Sequence, residues 1–169
     1  LSGFPCRTTD MTLRHSRDRR TGSIAIVQCP WSAWADQIFE EIKGEWITTG
    51  VIRDANGKPI PNLPDRVVSQ DDDTAKALTA HLKEIEYSSS NQNGFIGATH
   101  AETKIAFKMA QWDIEKATVV INNNAWVCTG RDSCSELVKA ILPKDSVLKV
   151  YQPGSREPTV IVGEEPERP

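Results

Sequence analysis

Apolar residues recur at every fourth position in Trp34, Ile38 and Ile42, a spacing that predicts a short amphipathic helix stopped by Gly44. Ahead of it, the apolar run from Ile24 to Val27 lies between Gly22 and Pro30 and predicts a strand. From Glu45 the texture turns β-branched. Trp46 to Arg53 predicts a strand, and Asp54, Ala55, Asn56 and Gly57 supply turn chemistry, because Asn and Gly tolerate positive φ. A hairpin is therefore expected to open the main domain. After a link spaced by Pro59, Pro61 and Pro64, Ser69 and the aspartates Asp71 to Asp73 form a helix start, where carboxylates meet unpaired N–H groups and the positive end of the dipole. Ala75, Leu78, Leu82 and Ile85 supply the buried stripe of that helix.

Tyr87 to Gly97 shows neither period nor bulk and reads as a loop. Thr99 is placed to cap a helix running to about Trp112, with Ala101, Ile105, Met109 and Trp112 on one face. Thr118 to Ile121 reads as a strand covered on both sides. A loop carrying Cys128 and Cys134 follows Asn122, Asn123 and Asn124, and Leu137, Val138, Ile141 and Leu142 mark a helix closed by Pro143. Ser146 to Tyr151 is the next strand, and Thr159 to Val162 is an edge strand before the acidic tail from Glu164 to Pro169. Alternation of strand and helix implies an α/β layer with right-handed crossovers. The expected division is an N-terminal extension over 1–44, the main domain over 45–163 and the tail over 164–169.

Composition narrows the picture. At 169 residues and 38% apolar content the chain is sized for one domain, which buries roughly 70% of its unfolded surface. A net charge of -3 and a pI near 5.7 argue against wholesale electrostatic capture of nucleic acid, so any such contact is local. The five arginines and two aspartates between Arg7 and Arg20 form such a local excess, suited either to phosphates or to solvating an irregular arm. No apolar run approaches the roughly 20 residues of a spanning helix, and no secretory leader pattern marks the start, so a soluble domain without a membrane partner is expected. Four cysteines are too few for a disulfide scaffold. Cys6 and Cys29 either pair in an oxidising compartment or stay reduced.

Chemistry concentrates in His100, Glu102, Cys128 and Cys134. One imidazole and two thiolates match the three protein ligands of a catalytic zinc site, with the fourth position left open. His100 and Cys134 each stand at an expected helix start, where thiolate is favoured over thiol. Glu102, two residues on, is expected to point well away from His100 and to serve an activated water as proton carrier. The set follows the general zinc nucleobase deaminase order, H-x-E and then P-C-x-x-C. A closed structural site would leave Glu102 without a task.

HAETKIAFKM from His100, VVINNN from Val119 and CSELVKAILPKDSVLKVYQPG from Cys134 resemble the DddA-like bacterial deaminase toxins of the cytidine deaminase-like superfamily. The likeness spans Trp46 to Pro153, about two thirds of the chain. It implies a three-layer α/β/α sandwich around a mixed central sheet, and Zn2+ held by His100, Cys128 and Cys134. It also implies Glu102 as proton shuttle and conversion of cytosine to uracil in DNA. A cognate immunity protein, monomeric action and delivery into a recipient cytoplasm follow from the same likeness. Two departures stand out: Thr129 to Ser133 separate the cysteines where the family has two residues, and Val127 replaces the usual proline.

Reaching a stacked base requires single-stranded substrate or base flipping, so substrate residues belong on loops. Phe95 suits either a DNA contact or a loop anchor, and Trp126 suits a pocket wall ahead of a place in the core. Asn122 and Asn123 suit either a base carbonyl or pinning of the loop. Arg131, Lys104 and Lys108 are candidate phosphate contacts, although exposed lysines on a helix usually only keep a face solvated. His15 and His81 have no partner at metal-ligand spacing. The rival functions are deamination of RNA or free nucleosides, and a non-catalytic zinc-stabilised binding module.

Overall fold

The computed structural model describes residues 33–87, 95–123, 133–155 and 157–164, with the backbone of two further short strands. Those strands, β1 (His15–Arg17) and β2 (Ile24–Ile26), pair antiparallel. The main sheet contains β3 (Thr49–Arg53), β4 (Arg66–Val68), β5 (Lys116–Ile121), β6 (Val147–Tyr151) and β7 (Thr159–Val162), in the order β4-β3-β5-β6-β7. Within it β5 and β6 run parallel and the other neighbours antiparallel. A parallel pair needs a crossover, and α4 (Cys134–Ile141) lies in it.

Alternation along the strands divides the interior. Ile52, Val119, Ile121, Leu148, Val150 and Ile161 face a core shared with α2 (Asp73–Glu84), α3 (Ala101–Gln111) and α4. Val51, Val120 and Tyr151 face Ala35, Ile38 and Ile42 of α1 (Ala33–Ile42). The result is a three-layer α/β/α sandwich around a mixed sheet, and β5 is buried from Ala117 to Ile121 as a strand covered on both faces must be. The helix expected within an extension ending at residue 44 is thus packed onto the main sheet as its second covering layer.

Local chemistry explains the elements. Asp54 Oδ1 accepts the backbone N–H groups of Asn56 and Lys58, each at 2.8 Å, and Gly57 takes φ +79°. A Cβ there would lie 2.5 Å from the Trp34 ring, so the turn needs glycine twice over. The hairpin connection is longer than a tight turn, because the proline link precedes β4 and joins the loop. Trp46 stands 96% exposed ahead of β3, which begins only at Thr49. Trp112, expected on the inner face of its helix, is the residue that terminates α3 and is 53% exposed. Among the described residues no helix is long and apolar enough to cross a membrane.

Candidate metal and active site

The N-terminal ends of α3 and α4 meet. His100 precedes α3 with extended backbone, φ -78° and ψ 146°, and Cys134 is the first residue of α4. Ser133 caps α4 by accepting the Glu136 N–H at 3.4 Å. Across this junction His100 Nδ1 lies 2.7 Å from Cys134 Sγ, and the thiol is buried. Glu102, in the first turn of α3, is 5% exposed. One donor atom from each of the three lies within 4.8 Å of the others. Glu102 therefore does not point away as helical spacing predicts. His100 sits outside the helix in extended backbone, so the 100° step per residue does not relate the two side chains.

Burial pushes the Glu102 carboxyl above its ordinary range; its own backbone N–H and the His100 charge offset part of that. Such a carboxyl holds its proton more readily than a solvated one. Imidazole nitrogen, thiol sulfur and a neighbouring carboxylate form a donor set that suits zinc. Cys128, expected as the third ligand, lies outside the described residues, as do Trp126, Asn124, Arg131, Cys6 and Cys29.

The first turn of α3 is held from outside. Thr99, expected as its cap, instead closes a 3-10 helix (Ile96–Thr99), donating to Ile96 O at 3.0 Å. The His100 side chain makes no capping bond, and the Ala101 N–H donates to Ser69 Oγ at 2.9 Å. Thr103 Oγ1 donates towards Gly97 O at 2.5 Å, with His100 O at 2.9 Å. Lys104, a candidate phosphate contact from sequence, is fully buried; its ammonium donates to Val68 O at 2.9 Å and Asp72 Oδ2 at 2.7 Å. It has no surface to offer a phosphate.

Of the substrate candidates, Phe95 is half-buried, packs on the main core and meets Tyr87 edge-on, with ring centroids 6.0 Å apart. Asn122 pins the loop before β3: its Oδ1 accepts the Thr49 N–H at 2.8 Å, and Nδ2 faces the carbonyls of Ile42, Glu45 and Ile47 at 3.0–3.1 Å. Those bonds consume the donors a base carbonyl would need. Asn123 is half-buried just past the end of β5. Lys108 meets Gln111 at 3.1 Å, and His81 packs on Phe107 at 5.5 Å between rings. Ser69 and Asp72 were legible only as a helix start; the one hint of more was a lysine within the run Ala101 to Phe107, which is otherwise poor in charge.

No curated protein matches the chain. The family model described as SCP1.201-like deaminase matches residues 28–167, from before α1 to beyond β7. With that match laid over a sandwich whose His-x-Glu turn faces a helix-starting cysteine, the chain belongs to the SCP1.201-like deaminase family.

Proposed function

We propose that this chain is a toxin domain that hydrolyses cytosine in DNA to uracil and ammonia. The observation that carries the reading is the convergence of His100, Glu102 and Cys134 at two helix N-termini in a deaminase-family fold. In this reading His100, Cys134 and Cys128 hold zinc, which when bound supplies the Lewis acidity that makes water nucleophilic near neutral pH. Glu102 accepts one proton from the attacking water and passes it to the ring nitrogen; it then takes the proton of the hydroxyl now on the carbon and delivers it to the amine, which leaves as ammonia as the C–N bond breaks and the carbonyl forms. Its burial beside His100 keeps the carrier dry and oriented. The target base is turned out of its stack to reach this depth, with Phe95, Asn123 and Trp126 as the pocket candidates. The domain acts as a monomer in a recipient cytoplasm, and its producer carries an immunity protein that blocks the pocket.

The test is product analysis by mass spectrometry after incubating the zinc-loaded protein with single-stranded DNA, duplex DNA, RNA and free cytidine. Uracil in DNA is the expected result. Product only from RNA or cytidine would replace the substrate, and no product from any of them, with zinc bound stoichiometrically, would favour a binding module.

A further inference from the structure

We propose that Ser69 is a positioning residue for the metal site, fixing His100 by holding the first N–H of α3. A helix start leaves its first N–H groups unpaired; the residue before the helix can reach the second or third with its own side chain, and the first needs a partner from elsewhere. His100 is the residue before the helix, but its imidazole faces Cys134 and caps none of them. The Ala101 N–H, on a fully buried residue, is satisfied by the Ser69 hydroxyl from 32 positions upstream. One turn further along, Lys104 reaches Val68 O and Asp72 Oδ2. Residues 68–72 therefore grip α3 at two successive points. His100 and Glu102 flank the first of them. Without the Ser69 oxygen the Ala101 N–H is left unpaired, and the turn relieves this by fraying, which carries the imidazole away from Cys134.

The inference rests on the metal reading of the site. Its test measures zinc affinity by chelator competition, and the His100 imidazole resonances of the zinc-free protein, in wild type, Ser69→Ala, Ser69→Thr and Ile161→Val. Ser69→Ala should bind zinc about tenfold more weakly, at the low end of what loss of a residue supporting a metal ligand costs, and broaden the imidazole signals. Ser69→Thr keeps the hydroxyl and should retain both properties. Ile161→Val, a core truncation in the edge strand, should change neither. Wild-type affinity and sharp imidazole signals in Ser69→Ala would overturn the proposal, as would an equal loss in Ile161→Val. Should the wild-type chain take up no zinc, the metal reading fails and the imidazole signals alone decide the role of Ser69.

Discussion

Lys104 Nζ lies 2.7 Å from Asp72 Oδ2 with the lysine side chain only 1% exposed, so the cap of α2 and the second turn of α3 form one electrostatic unit. Asp72 also accepts the Ala75 N–H at 3.0 Å through its other oxygen. An ammonium so buried is tolerable only with its partners in place.

Removing the partner should therefore cost more than removing the charge. Asp72→Ala strands the ammonium and uncaps α2, at about 3–5 kcal/mol. Lys104→Met fills the slot with an apolar stem and leaves a carboxylate that is 32% exposed, at a clearly smaller cost. The double variant should be more stable than Asp72→Ala alone. Denaturant unfolding of the three variants checks the order.

Acid should expose the same pair. Burial opposes ionisation of Asp72, yet the Lys104 hydrogen bond and charge and the Ala75 N–H together hold the carboxyl below its ordinary value of 3.8. The unfolded chain binds this proton more readily, so the contribution is complete above that value and is lost as pH falls through the lower folded one. Melting temperatures of wild type and Asp72→Asn should differ at about pH 6 and converge towards about pH 2; a gap independent of pH would contradict the assignment.

Asn122 separates a structural from a substrate role. Asn122→Ala takes the side-chain partner from the buried Thr49 N–H and from the Glu45 carbonyl, while the Ile42 and Ile47 carbonyls keep the Glu45 N–H and the Thr49 hydroxyl, and should lower stability by about 1–3 kcal/mol. Unchanged stability with a raised KM would return the residue to the substrate pocket.

Glu102→Gln keeps the shape of the side chain and removes its proton chemistry. Turnover should fall by at least the roughly 100- to 10,000-fold that general acid–base catalysis contributes, with zinc content unchanged. Loss of the metal would make Glu102 a ligand instead.

Local features were legible from the amino-acid pattern, and partnerships across the chain were not. The stripe Ala75, Leu78, Leu82 and the buried run into Ile121 follow from periodicity because each element's own spacing selects its inner face. His100 and Cys134 stand out because both start helices. The direction of Glu102 was not legible, because periodicity fails where the backbone leaves the helix at His100. Lys104 carries the signature of a solvated charge, and only the approach of Asp72 from 32 residues away makes its burial tolerable. Ser69 capping Ala101 is equally non-local, since turn chemistry names a cap for the next helix but not for one beyond it.

The ligand set itself is the most direct point of attack. Zinc K-edge absorption on the purified, zinc-loaded chain should report two sulfurs at about 2.3 Å and nitrogen or oxygen at about 2.0 Å, with one sulfur lost in Cys128→Ser and another in Cys134→Ser. A shell with a single sulfur, unaltered by Cys128→Ser, would contradict the account and move Glu102 from proton carrier to ligand.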